Sequence, residues 1–129
     1  MNYAIAIEEE KGRSYGVEVP DLPGCFSAGE TLDEALAQAR EAVAFHIEGL
    51  LDAGERVPKA RGVAAFAGRR EYAGRTWAVV SVDLATLSGK ARRLNVSLPE
   101  RVVRRIDAAA AKSGESRSGF LARVALDAV

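Results

Sequence analysis

A short alternating segment near the carboxy terminus limits the fold of this 129-residue chain more than any other feature. Polar and apolar residues take turns there in the run Arg93, Leu94, Asn95, Val96, Ser97 and Leu98. In a β-strand the two sets point to opposite faces, so one face is apolar and the other carries hydrogen-bonding groups. Pro99 then fits the entry of a helix, where its missing N–H removes no hydrogen bond.

Two short helices are predicted after this strand, with Gly114 turning the chain between them and Ser116 as the N-cap of the second. The apolar face of the first is Val102, Val103, Ile106, Ala109 and Ala110. That of the second is Phe120, Leu121, Val124, Ala125 and Ala128. So few residues form too small a core to stand alone. Because a second copy would supply a strand partner and two more helices, residues 90–129 are predicted to form a dimeric ribbon-helix-helix domain.

Such a ribbon fits the major groove of double-stranded DNA. The base-contacting candidates are Arg93, Asn95 and Ser97. The phosphate-contacting candidates are basic side chains and the amino end of the second helix, namely Lys90, Arg92, Ser116, Arg117 and Ser118. The alternative is a strand and helical hairpin that only cap the first domain. DNA binding is favoured over it, because residues 89–129 carry nine basic and four acidic side chains.

The net charge of zero hides an asymmetry along the chain. Residues 1–60 carry twelve Asp/Glu and five Lys/Arg, a balance of −7, and the remainder has a balance of +7. This split favours an acidic half for basic partners and a basic half for nucleic acid. No apolar run is long enough for a membrane span and no signal pattern begins the sequence, so a cytoplasmic protein is expected.

The first domain is predicted over residues 1–86 as an α+β unit. Alternating or β-prone runs predict strands in the segments 3–7, 15–19, 25–27 and 76–83. The last run is nearly all apolar, which suits a strand covered on both faces. Thr31 and Glu34 form a capping box for a long helix that Gly54 ends. A three- or four-stranded sheet with one packed helix is therefore expected.

Phe45 is the one aromatic residue on the polar face of that helix, among acids that include Glu41 and Glu48. An aromatic residue ringed by charges resembles the anchor of an interface, so these three residues are candidate contacts to a partner or a second subunit. The alternative is that the link at 56–74 folds back over Phe45 through Val63 or Phe66.

Catalytic and metal sites have little support in the sequence. The single Cys25 and single His46 are best explained as buried or half-buried side chains, so no cofactor or metal is expected. A two-metal nuclease would need converging carboxylates. Glu8, Glu18 and Asp83 are the strand carboxylates available, and no motif connects them.

The whole sequence resembles the HicB-type antitoxins of type II toxin–antitoxin systems. The resemblance lies in Tyr3-Ala4-Ile5, in the stretch 17–29 with Pro20-Asp21-Leu22-Pro23-Gly24-Cys25, in Thr31-Leu32-Asp33-Glu34-Ala35, and in the strand 77–84 with Leu87-Ser88-Gly89-Lys90. It covers nearly the whole chain apart from about 56–74. The 20–25 stretch is rather specific, whereas the ribbon-helix-helix part is shared by many repressors.

The resemblance implies a partial ribonuclease-H-like first domain without nuclease activity. It implies that this domain masks a small basic HicA-type mRNA interferase, while the second domain binds the operator of its own operon and is nucleoid-associated when bound. The expected assembly is a homodimer through the ribbon, or a tetramer if the first domains also meet. A different class stays open: a stand-alone transcriptional regulator whose first domain senses a small ligand.

Overall fold

The computed structural model describes residues 1–12 and 14–129. They form two compact units, Asn2–Val82 and Asp83–Val129 together with Met1. The division falls slightly before the predicted bounds of 1–86 and 90–129, because a 3₁₀ turn at Leu84–Thr86 packs against the last helix of the second unit. The turn predicted at residues 11–14 includes Arg13, which lies outside the described residues.

The first unit contains a four-stranded antiparallel sheet in the order β3-β2-β1-β4. The strands are β1 (Asn2–Glu10), β2 (Ser14–Glu18), β3 (Phe26–Gly29) and β4 (Thr76–Ser81). Residues 3–7 of β1 are buried, as expected of a central strand covered on both faces. The predicted α+β class and the sheet of three or four strands are thus confirmed.

The long helix α1 (Leu32–Asp52) packs on one face of this sheet, mainly against β3. Its start follows the predicted capping box, since the Glu34 amide donates to Thr31 Oγ1 at 3.1 Å. The carboxylate of Glu34 accepts from the amide of Glu30 at 3.2 Å, one residue before the cap. Gly54 follows the helix with φ of +69°, as predicted for the residue that ends it.

Close packing of α1 on β3 depends on Gly29. A Cβ atom at this position would collide with the backbone of Ala35 in the first turn of the helix. The helix buries Ala35, Ala39, Val43 and Ile47. The small residues on this stripe allow the helix to approach the sheet closely.

Within the segment 56–75, the part around Phe66 covers the face of the sheet opposite to α1. Its Phe66 is buried and stacks on Trp77 of β4, with ring centroids 6.4 Å apart. Asp21, which belongs to the proline-flanked motif, holds the same segment by accepting from the backbone amide of Arg61 at 2.9 Å and from its Nε at 2.7 Å. The Tyr3 hydroxyl donates to the carbonyl of Pro58 at 2.6 Å. The link therefore completes the core of the first unit.

β4 differs from the sequence-based expectation. It was expected to be covered on both faces, but it is an outer strand of the sheet and its Val79 is 52% exposed. Its apolar composition is explained by Trp77 and Val80, which pack inward, rather than by burial of the whole strand.

The second unit contains the helices α2 (Glu100–Lys112) and α3 (Arg117–Ala128), which pack against each other. The predicted N-cap of α3 is confirmed, since the Gly119 amide donates to Ser116 Oγ at 3.0 Å. Residues 90–99 have no regular secondary structure in the single chain. A lone strand has no neighbour with which to form a ladder. The ribbon would form only between two chains, so it stays a prediction.

Candidate interaction surfaces

The first unit carries an open groove between the outer edge of β3 and the side of α1, with a volume of about 580 Å³. We name it the β3–α1 groove. Its lining includes Phe26, Ser27, Ala28, Glu41, Phe45 and Glu48. The groove thus contains all three residues that the sequence suggested as partner or subunit contacts.

Two aromatic side chains of this groove are exposed to solvent. Phe45 is 78% exposed, so the alternative that the 56–74 link covers it is wrong. Phe66 could not cover it, because its ring is buried against Trp77. Phe26 is 64% exposed and was missed by sequence reasoning. Strand alternation could have found it, because Cys25 just before it points inward and the next side chain must point the other way.

The second unit has a different exposed surface, made of aliphatic side chains. Leu94 and Val96 are 73% and 72% exposed. The helices add further exposed aliphatic residues, which are Val102, Leu121 and Val124. A small unit that leaves this many large aliphatic side chains in solvent has the composition of one half of a protein–protein interface.

The predicted base-contacting residues Arg93, Asn95 and Ser97 all lie in the irregular segment 90–99 and are exposed. Lys90 and Arg92 are exposed in the same segment. In the single chain these five side chains are therefore exposed along one segment, and no strand directs them to a common face.

The amino end of α3 already holds a carboxylate. Asp83 Oδ2 accepts from the Ser116 amide at 2.9 Å, and the other oxygen accepts from the Ala85 amide at 2.9 Å. A Cβ at position 119 would collide with this carboxylate, so only glycine admits it. Burial alone would raise the pKa of Asp83, but the hydrogen bonds from Ser116 and Ala85 outweigh it and lower that pKa. Sequence reasoning missed this contact, which occupies part of the predicted phosphate site.

Arg117 and Ser118, the other predicted phosphate contacts, are both exposed. The guanidinium of Arg117 makes a two-pronged contact with Asp107 of α2, at 2.8 and 2.9 Å. This hydrogen-bonded pair lowers the pKa of Asp107. Arg117 thus links the two helices in the isolated chain, and a phosphate would have to compete with Asp107 for it.

The carboxylates considered for a nuclease do not form a metal site. Arg75 lies 3.6 Å from both Glu8 and Glu18 and so compensates their charge, while Asp83 is held by α3. Across residues 1–12 and 14–129 no group of three or more His, Cys, Asp or Glu could hold an ion. Cys25 is buried, which raises the pKa of its thiol, as expected of a small packed side chain. No helix in the described part of the chain could cross a membrane.

These features define a class of two-part binding protein. One part is a folded unit with an exposed aromatic groove, and the other is a basic arm with an uncovered apolar face. The chain belongs to the HicB-like antitoxins of bacterial toxin–antitoxin systems, whose family profile matches residues 3–125. Members of this family act by binding a toxin and are not known as enzymes.

Individual relatives agree with this assignment. A 14.9 kDa protein from the rep–hol intergenic region of Haemophilus phage HP1 is 44% identical over 127 residues, covering 97% of this chain and 95% of its own length. The crystal structure of the Burkholderia pseudomallei antitoxin HicB is 48% identical with a TM-score of 0.81, covering 100% of this chain and 98% of the other. In a HicA3–HicB3 toxin–antitoxin complex, a chain that is 30% identical covers 64% of this one and 99% of itself, with a TM-score of 0.55.

Proposed function

We propose that this protein neutralises a HicA-type mRNA interferase through its first unit and represses its own operon through its second. The observation that carries the proposal is the full-length similarity to the Burkholderia pseudomallei antitoxin HicB. The uncovered apolar face of the second unit supports the same conclusion, because an arm of this kind needs a second copy.

Toxin binding is supported by the charge of the first unit. Helix α1 carries five acidic residues and one basic residue, Arg40. A surface of this sign attracts a basic RNA-binding protein and speeds its association. The proposed contacts are Phe45, Glu41 and Glu48, with the toxin's RNA-binding surface covered in the complex. The mechanism is steric and needs no catalytic group on the antitoxin.

Operator binding is supported by the composition of the arm. Pairing of two copies through residues 93–97 would turn Leu94 and Val96 toward the four helices and leave Arg93, Asn95 and Ser97 on the outer face. That face would enter the major groove, while Lys90 and Arg92 add salt-sensitive contacts to phosphates. The homodimer, its extension to a tetramer and the ribbon-helix-helix fold are parts of this proposal.

The fold of the first unit fits the ribonuclease-H-like description that the resemblance implies. Three consecutive antiparallel strands followed by a helix form its larger part. We include this description in the proposal. The competing hypothesis of a small-ligand sensor has less support, because the β3–α1 groove is open to solvent and lined by acids and aromatic rings, which suits a protein surface better.

Co-expression tests the antitoxin role. We expect the gene beside this one to encode a small basic protein that arrests growth when expressed alone, and this chain should restore growth when both are expressed. Purification should then yield one complex. If the neighbouring protein is harmless or does not bind, the toxin part of the proposal is wrong.

Fluorescence anisotropy with DNA from upstream of the gene tests the repressor role. Tight binding that weakens steeply with salt and exceeds binding to scrambled DNA is expected. Equal affinity for both DNAs would contradict operator recognition.

A further inference from the structure

The hydrogen-bond pattern of β2 and β3 identifies which amides of β3 face away from the sheet. The Val19 amide donates to the carbonyl of Cys25 at 3.2 Å, so these opposite residues form a hydrogen-bonded pair. Such pairs alternate along an antiparallel ladder. Val17 pairs with Ser27, and these residues lie two positions from Val19 and Cys25 along their strands, so this pair is hydrogen-bonded as well. Phe26 and Ala28 therefore direct their N–H and C=O groups outward.

This outward row is uncovered in the first unit, because β3 is the last strand on its side of the sheet. An exposed strand edge is a template for an added strand, and proteins usually blunt it with charge or proline. β3 contains neither, since its sequence is Phe-Ser-Ala-Gly. The edge is thus chemically able to accept a partner strand.

Exposed aromatic groups flank this edge on both sides of the sheet. Gly29 faces α1, so strand alternation places the side chain of Phe26 on the opposite face. Phe45 projects from α1 on the other side and lines the groove. Since the side chains of a strand alternate between faces, a strand added to β3 would lay one set over Phe26 and the other against Phe45.

The negative charge around the groove favours a basic partner over a second copy of this chain. Glu41 and Glu48 lie four residues before and three after Phe45, on the same side of the helix. Arg40 lies about 140° around the helix from Phe45, so its charge is directed elsewhere. A second copy would bring the same acids against each other, whereas a basic partner would bring opposite charges together.

Ser27 has an unsatisfied polar atom just beneath this surface. Its hydroxyl is buried and has no hydrogen-bond partner among the described residues, although the residue lines the groove. Buried hydroxyl groups are normally paired. A bound segment would reach this hydroxyl only after the side chain turned outward, so the inference is not built on Ser27.

We infer that the toxin adds an extended segment to the outer edge of β3, pairing with the backbone of Phe26 and Ala28, with apolar side chains on Phe26 and Phe45 and basic side chains near Glu41 and Glu48. This inference rests on the proposed antitoxin function and specifies how that function is carried out. In this arrangement backbone hydrogen bonds of β3 recognise the toxin, and Phe26 and Phe45 contact its apolar side chains.

Hydrogen exchange measured by NMR on the full chain tests the strand addition directly. In the free protein the amides of Phe26 and Ala28 should exchange quickly, and that of Ser27 slowly. Addition of catalytically inactive HicA-type toxin should slow Phe26 and Ala28 by at least about 10-fold and leave Ser27 slow. Unchanged exchange at Phe26 and Ala28 in a saturated complex would overturn the inference while leaving the antitoxin function intact.

Variants provide the second measurement, with toxin affinity determined by calorimetry and folding checked by thermal unfolding. Ala28→Pro removes an outward N–H without removing a bond to β2, and Ala28→Ser is its matched control. Phe45→Ala removes one anchor, and Val79→Ala removes exposed apolar area on the opposite edge strand. We expect Ala28→Pro and Phe45→Ala to weaken binding by about 30-fold, and both controls to stay within about threefold.

The remaining outcomes separate the inference from its alternatives. If Phe45→Ala weakens binding but Ala28→Pro does not, the groove is used without strand addition and the inference is wrong. If either variant lowers the oligomeric mass and leaves toxin affinity unchanged, the occupant is a second copy. If the wild-type chain binds no toxin, the proposed function fails together with this inference.

Discussion

The two units of this chain differ in how far they bury their apolar side chains. The first buries its large apolar side chains against one another, as Tyr3, Ile5, Val43, Ile47 and Phe66 show. The second leaves Leu94 and Val96 largely exposed and buries little more than Ala110 on α2. The first unit is therefore complete within one chain, whereas the second has the composition of half a core.

This difference shows where each unit interacts. In a complete unit, exposed aromatic groups such as Phe26 and Phe45 have no structural task and are available to a partner. The exposed aliphatic residues of the second unit are those that the proposed pairing of two arms would bury, so we expect this pairing to accompany folding of the unit. Toxin binding can thus be conditional, while pairing of the arms is expected to be permanent.

The largest effect is expected on the free energy of unfolding, from a substitution in the core of the first unit. Phe66→Ala removes a buried ring that stacks on Trp77 and should lower the free energy of unfolding by about 3–5 kcal/mol. Chemical denaturation followed by the fluorescence of Trp77, the single tryptophan, measures it. Phe45→Ala is the matched control and should change stability by less than about 0.5 kcal/mol. Equal losses would mean that Phe45 belongs to the core.

A charge introduced into the apolar face of the arm tests whether the second unit pairs with a second copy. Val96→Asp would place an unpaired carboxylate in the buried face of the ribbon. The mass by light scattering should fall by half or more, and operator affinity by at least about 100-fold. Asn95→Ala, on the other face, should keep the mass unchanged. An unchanged mass for Val96→Asp would show that the copies do not pair through this segment.

A smaller effect separates the two kinds of basic residue in the arm. Arg93→Ala should cost about 1–3 kcal/mol at the operator and reduce the preference over scrambled DNA. Arg92→Ala should weaken binding to both DNAs alike and reduce the slope of log affinity against log salt by about 1. Anisotropy titrations over a range of salt concentrations distinguish them. If neither variant alters binding, the arm does not contact DNA in this way.

The smallest effect concerns the carboxylate at the amino end of α3. Asp83→Asn should lower helix stability by about 0.5–2 kcal/mol, as loss of a cap does. Because the folded-state pKa of Asp83 is lowered, its contribution is present above the ordinary aspartate pKa and is lost as the pH falls through the folded value. Circular dichroism melts at pH 7 and at about pH 2 should show the difference between wild type and variant shrinking in acid. A difference that persists in acid would assign it to packing instead.

Much of the first unit could be predicted from local patterns. Alternating or β-prone runs located all four strands, and the Thr31–Glu34 box located the start of α1. The sequence did not reveal that Phe66 returns to cover Trp77, or that Asp21 anchors this return through Arg61. These contacts join residues far apart in the chain, and no periodicity records them. The expected burial of β4 was wrong for the same reason, because a strand's position in the sheet depends on long-range pairing.

The candidate surfaces divide in the same way. Phe45, Glu41 and Glu48 could be grouped from the sequence, because helical geometry places them on one side of α1. Phe26 and the outward amides of β3 could be recognised only from the sheet order and the register. The contact of Asp83 with Ser116 likewise depends on a chain reversal that the sequence does not encode locally.

The sequence by itself determined the class of elements and the family, and it predicts a second copy, because each follows from local spacing or from the balance of apolar residues. The tertiary structure decided which strands are outer, which aromatic rings stay in solvent and which helix end is already occupied by a carboxylate. Those properties arise from contacts between distant segments, whose free energies depend on geometry that only the folded chain specifies.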